Sequence, residues 1–100
     1  MDNYYEAKHD NDKLRYDLLS VEWLEGLAEV ATYGAKKYDD NTWQTVPDGK
    51  KRYTAAAFRH FIAWIKGEQL DSESNLHHLK HAAFNLLMLL SLERNNNETN

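Results

Sequence analysis

One hundred residues, 42% apolar and 28% charged, describe a single folded domain with room for one modest core. No run is long and apolar enough for a transmembrane helix, and no apolar segment opens the chain as a signal peptide would; no cysteine is present, which excludes disulfides and thiolate metal sites. The expected setting is therefore the cytoplasm. The net charge of −4 is unevenly dealt, at −5 over residues 1–30, +4 over 31–66 and −3 over 67–100. That basic middle suggests a local anion site rather than a surface for long nucleic acid, although ordinary surface charge can be dealt this way too.

Residues 1–12 are polar, lack periodicity and read as a flexible arm. The domain proper is expected over 13–94. Ser20 is a plausible N-cap with Glu22 in the favourable first turn, and Val21, Leu24, Leu27, Ala28 and Ala31 then recur at helical spacing. Gly34 is the expected stop of this first helix. Residues 39–52 hold the only proline, in a Pro-Asp-Gly turn. A second helix is expected from about Tyr53 to Lys66, with Ala57, Phe58, Phe61, Ile62 and Ile65 as its apolar face and Gly67 ending it. After the loop "EQLDSES" a third helix runs from about Asn75 to Arg94, and the tail over 95–100 is expected to be disordered. No strand pair is evident, so the fold class is all-α, a small bundle of three main helices.

The third helix is apolar nearly all round. Leu76, Leu79, Ala82, Ala83, Leu86, Leu87 and Leu90 make one face, widened by Phe84, Met88, Leu89 and Leu92. Such a helix belongs at the centre of a bundle or in a dimer seam, and two partner helices cannot easily cover it, which points to completion by homo-oligomerisation. Yet the same helix carries His78, His81 and Asn85 at i, i+3 and i+7, on one stripe. A helix that only packs has no need of a buried amide. The first helix repeats the spacing with Glu22, Glu25 and Glu29. Facing stripes would form a polar cleft of the kind from which bundles build metal and ligand sites. The glutamates also suit a solvated face, the histidines a satisfied core, and Asn85 an oligomer seam.

"TYGAKKYDDNTW" gathers Lys36 and Lys37 beside Tyr33, Tyr38 and Trp43, amines for phosphate and rings for a base. "GKKRY" and Arg59 add positive charge. The two lysines equally complement a helix C-terminus. No GxxxxGK[ST], GxGxxG, HExxH or Ser–His–acid pattern is evident.

"KLRYDLLSVEWLEGLAEVATYGAKKYDDNTW" followed by "RHFIAWIKGEQLDSESNLHHLKHAAFNLLMLL" resembles a phage and prophage family named for the N-terminal domain of dATP/dGTP diphosphohydrolases. Its shape is similar to the all-α MazG and HisE pyrophosphohydrolases, which hold Mg²⁺ with a Glu-x-x-Glu on one helix and a Glu-x-x-Asp on another. Carried over, Glu22, Glu25 and Glu29 stand for the first acidic motif and are the expected metal ligands, with Asp71 or Glu73 added from the loop. The second motif falls on His78 and His81, so half of the carboxylate cage is imidazole. That exchange suits Mn²⁺ or Zn²⁺ better than Mg²⁺. Gly26 departs from the family's usual helix former, and Asn75-Leu76-His77 stands where Gly-Leu-Pro is common.

The resemblance implies a Mg²⁺- or Mn²⁺-dependent purine (deoxy)nucleoside triphosphate diphosphohydrolase. His60, His78 or His81 would act as base or phosphate donor, and Arg15, Tyr33, Lys36, Lys37, Trp43, Arg59 and Asn85 would bind the nucleotide. The alternative is a phage anti-defence sponge that sequesters a nucleotide immune signal without cleaving it.

Overall fold

A computed structural model describes residues 13–40 and 42–99; the arm expected over 1–12 lies outside the described residues. The fold is all-α. A 3₁₀ turn at Tyr16–Leu18 leads into α1 (Val21–Tyr38); a second 3₁₀ turn, Thr42–Thr45, leads into α2 (Gly49–Ile65) and then α3 (His78–Thr99). No strand is formed among the described residues beyond one isolated bridge between Leu70 and His77.

The boundaries follow from local chemistry. The Ser20 hydroxyl accepts the Glu22 amide at 3.1 Å, and Lys36 and Lys37 close α1 where cations complement its dipole. Gly34 does not stop this helix. Ala35, Lys36 and Lys37 carry it on to Asp39, which turns out with φ 100°. The Thr42 hydroxyl then caps the orphaned Asp39 carbonyl at 3.3 Å.

α2 begins four residues before the expected Tyr53. Asp48 takes the left-handed conformation, and the helix starts at once on Gly49 with Arg52 N–H bonded to the Asp48 carbonyl at 3.0 Å. Gly49 leaves room there, because a Cβ would sit 3.2 Å from a Leu92 methyl, which would have to shift slightly. Gly67, with φ 103°, ends the helix as expected.

α3 begins three residues after the expected Asn75, because Asn75 adopts φ 63° and the preceding loop is knitted to itself. Asp71 N–H bonds the Leu76 carbonyl at 2.8 Å and His78 N–H the Gln69 carbonyl at 2.9 Å. His77 caps the start of α3, its Nδ1 accepting the Leu79 amide at 3.0 Å. At its other end α3 continues past Arg94 to Thr99, since propagating an established helix costs little.

α2 and α3 run antiparallel, with Gly49 beside Leu92 at one end and His60 beside His78 at the other. α1 crosses α3: a Cβ at Gly26 would come within 3.2 Å of the Lys80 stem, and Tyr33 meets His81. Gly26 thus replaces a helix former so that Lys80 can cross α1 and reach Glu29 at 2.6 Å. The buried apolar core is thin, namely Val30, Ala57, Ala82 and Met88. The most buried polar side chains are His78, His81 and Asn85, while Leu86, Leu87 and Leu90 of the same helix are exposed. α3 is the central helix, as its composition indicates, but it turns its polar stripe inward.

Candidate functional site

Three imidazoles meet between α2, α3 and the loop that joins them. His60 comes from the last turns of α2, and His78 and His81 from the first turn of α3. Their rings are close: His60 Nδ1 lies 2.9 Å from His78 Nδ1, and the His60 and His81 rings stack at 4.3 Å with 8° between their planes. Two nitrogens at that distance share one proton, so one ring donates and the other accepts.

The knitted loop supplies the rest. Asp71 Oδ2 accepts the Ser74 amide and hydroxyl, both at 2.8 Å, and lies 3.9 Å from His81 Nε2. Ser74 Oγ is 2.7 Å from His81 Nε2. A hydroxyl prefers to donate to a carboxylate, so the His81 Nε2–H donates to Ser74 and its Nδ1 keeps a lone pair. The three residue types of a hydrolase triad are thus adjacent, but serine gives its proton to Asp71 rather than to histidine, and it is not an activated nucleophile.

The electrostatics follow from this crowding. Burial, and then the neighbouring His81, push His60 down from 6.5 to about 4. Burial also lowers His81, against the opposing pull of Asp71. Burial alone would raise Asp71, but the Ser74 amide and hydroxyl, and then the nearby imidazoles, hold it below the usual carboxylate range. His60 and His81 are therefore neutral near pH 7, with lone pairs available. His78 Nε2 is buried with no hydrogen-bond partner among the described residues; Glu68 Oε2 lies 3.3 Å away but out of line. A buried, unpartnered nitrogen in a native site calls for an explanation such as an ion.

The ligand atoms of His60, Asp71 and His78 lie within 4.8 Å of one another, and this group is able to hold a metal ion. Two imidazoles and a carboxylate fit a first-row divalent cation. The glutamates of α1 are not part of this group. Glu22 and Glu25 are exposed, and Glu29 is engaged by Lys80. The physical reason is the crossing of α1, which presents Tyr33 rather than the acidic stripe to His81.

The remaining residues singled out in the sequence are scattered by degree. Tyr33 stands edge-on to His81 at 6.2 Å. Lys37 is paired with Glu73 and lies over the Tyr33 and Tyr38 rings at 5.8 and 5.2 Å. This pairing raises Lys37 and lowers Glu73, and the Tyr33 hydroxyl lowers Glu73 further. Lys36 and Arg59 are exposed. Arg15 grips Asp17 through two 2.8 Å bonds on the turn before α1. Asn85 donates to the His81 carbonyl at 2.8 Å, which satisfies its buried amide within α3.

A cavity of about 800 Å³ opens beside the end of α1. Tyr38, Trp43, Arg52, Tyr53, Phe84 and Met88 are among its walls, and the Tyr53 hydroxyl donates to the Trp43 carbonyl at 3.0 Å. Sequence reasoning missed Ser74, took Arg52 only as added positive charge and took Phe84 only as part of an apolar face. For Ser74 the signal was present: an acid three residues before a serine is the spacing at which a side chain caps a turn.

No helix among the described residues is long and apolar enough to cross a membrane. No solved structure matches the chain. A protein of Salmonella phage PMBT28 named dATP/dGTP diphosphohydrolase is 32% identical over 88 residues, which cover 88% of this chain and 30% of that protein. The chain thus spans about 30% of the length of this relative. The family described as dATP/dGTP diphosphohydrolase, N-terminal, matches residues 3–100, nearly the whole sequence, and the chain belongs to that family.

Proposed function

We propose that this domain is a metal-assisted diphosphohydrolase that cleaves purine deoxynucleoside triphosphates to the monophosphate and pyrophosphate. The observation that carries the reading is the His60–Asp71–His78 group, two residues half-buried and the third buried with one nitrogen unpartnered, in a member of a family with this name. These three residues would hold the ion, in place of Glu22, Glu25 and Glu29, and their donor set favours Mn²⁺ over Mg²⁺. When bound there, a divalent cation supplies charge neutralisation and a more acidic water. His60, neutral at pH 7, is ready to coordinate without losing a proton. His81 acts as general base through Nδ1, oriented by the Ser74 hydroxyl on its other nitrogen. Lys36 and Arg59 screen the phosphates from the rim, and Lys37 fixes Tyr33 through Glu73. The nucleoside occupies the aromatic cavity, where rings stack on the base and Arg52 and Asp39 offer polar contacts.

The sequestering alternative draws on one observation: Asp71 is the single carboxylate in the candidate metal group. One assay separates the readings. The protein is incubated with a panel of nucleoside triphosphates and cyclic nucleotides in Mn²⁺ or Mg²⁺, filtered, and the retained fraction heated. The expected result is dAMP or dGMP with pyrophosphate, at a rate reduced at least about 100-fold in His60→Asn and His78→Asn. Glu22→Gln and Glu25→Gln are expected to stay within about threefold of the parent rate. A nucleotide that disappears from the filtrate and returns intact on heating would replace hydrolysis with sequestration.

A further inference from the structure

The imidazole group and the aromatic cavity are separate regions, and Lys37 stands between them. On one side Tyr33 meets His81 edge-on at 6.2 Å; on the other Tyr38 is a wall of the cavity. The Lys37 ammonium lies over both rings, 5.8 Å from the centre of Tyr33 and 5.2 Å from that of Tyr38. A nucleoside triphosphate with its base in the cavity and its phosphates at the imidazoles passes this ammonium. The ammonium is already engaged, however, by Glu73 from the loop that joins α2 to α3. The Tyr33 hydroxyl acts on the same carboxylate and lowers it. Two donors of α1 thus hold one anionic group of the loop.

Three features make that anion exchangeable. The Glu73 side chain keeps 59% of its surface in solvent and the Lys37 side chain 38%, and an ion pair so exposed contributes little. A carboxylate brings one negative charge, whereas an oligophosphate brings several, with more acceptor oxygens for the same two donors. Lastly, the loop does not depend on Glu73 for its form. Asp71 accepts the Ser74 amide and hydroxyl, and the His78 amide donates to the Gln69 carbonyl. Among the described residues no hydrogen bond or ion pair other than those at Glu73 ties α1 to this loop.

We infer that Glu73 is an internal competitor at a phosphate subsite formed by Lys37 and Tyr33: an oligophosphate displaces its carboxylate from both donors and frees the α2–α3 loop from α1. The inference takes its ligand from the hydrolytic reading above. It goes further by making Lys37 a phosphate ligand and Glu73 the residue that sets how strongly phosphate is held. A nucleoside monophosphate brings fewer charges than the triphosphate, so Glu73 also favours the substrate over that product.

The test is calorimetric titration of the metal-free chain with inorganic tripolyphosphate at low salt, which reads the subsite without metal, base or hydrolysis. Glu73→Gln is expected to bind about fivefold tighter than the native chain, because the competing charge is gone. Lys37→Met is expected to bind at least about tenfold weaker. When both substitutions are combined, the gain from Glu73→Gln is expected to vanish, because Glu73 then has no ammonium to occupy. Absence of tripolyphosphate binding in Glu73→Gln overturns the inference. So does a gain from Glu73→Gln that is as large without Lys37 as with it, which would make Glu73 a distant repulsive charge. The two readings fail separately. A chain with this coupling that releases no pyrophosphate from dATP or dGTP keeps the subsite and loses hydrolysis, and a hydrolase without the coupling does the reverse.

Discussion

The two sides of α3 differ in a way that reverses the usual arrangement of a helix. The side turned inward carries two histidines and an asparagine among small or flexible apolar residues, Ala82 and Met88. The side turned outward carries Leu86, Leu87 and Leu90. Burying polar groups is costly unless they are satisfied, and here nearly all are: Asn85 by the His81 carbonyl, His81 by Ser74, and His60 and His78 by each other. The fold thus accepts the cost of buried polar groups on one side of α3 while leaving leucines in water on the other.

The comparison is broken most directly by truncating one residue from each side. Met88→Ala should destabilise the chain by about 2–4 kcal/mol in urea titrations, independent of protein concentration, because its burial is within one copy. Leu87→Ala, at a half-exposed position, should cost less than that within one copy, and a cost that grows with protein concentration would show that association covers this side. Equal, concentration-independent losses would mean that the outer side has no partner.

Acid should act more on the inner side than on the outer. The folded pKa of His60 is about 4, against 6.5 in the unfolded chain, and His81 is lowered in the same direction. Between these values the unfolded chain binds more protons, so stability is complete above about pH 6.5 and is lost as the pH falls toward 4. The loss should be on the order of 1–2 kcal/mol once discounted for the partial exposure of the ring, read from metal-free denaturation curves at pH 7 and pH 4.5. His60→Asn should flatten that profile. An unchanged profile in this variant would remove His60 as its source.

The smallest effect concerns neither side. Gly34 sits within α1 with nothing inside 4 Å of where a Cβ would be. Gly34→Ala should therefore stabilise the chain by about 0.5–1 kcal/mol and raise Tm by a few degrees in a thermal melt. A fall in Tm would reveal a contact at that position made only by the assembled or ligand-bound protein.

Much of the architecture was legible in the residues. Hydrophobic spacing and Ser20 located the start of α1, Gly67 located the end of α2, and the stripe of His78, His81 and Asn85 marked the side of α3 that turns inward. Gly34 misled because a glycine can end a helix or merely weaken one, and only its neighbours decide which. The twin stripe of Glu22, Glu25 and Glu29 shows another limit: periodicity reports which residues share a face but not what that face meets, here solvent for Glu22 and Glu25 and Lys80 for Glu29.

The sequence by itself determined an all-α chain, its helical segments and the side chains able to do chemistry, because those depend on spacing and residue type along one segment. Tertiary structure alone decided that His60 and Asp71, rather than the glutamates, join His78. It also decided that the leucines of α3 face outward. These outcomes depend on the antiparallel register of α2 with α3 and on the angle at which α1 crosses, where Gly26 and Gly49 make room for the Lys80 and Leu92 side chains.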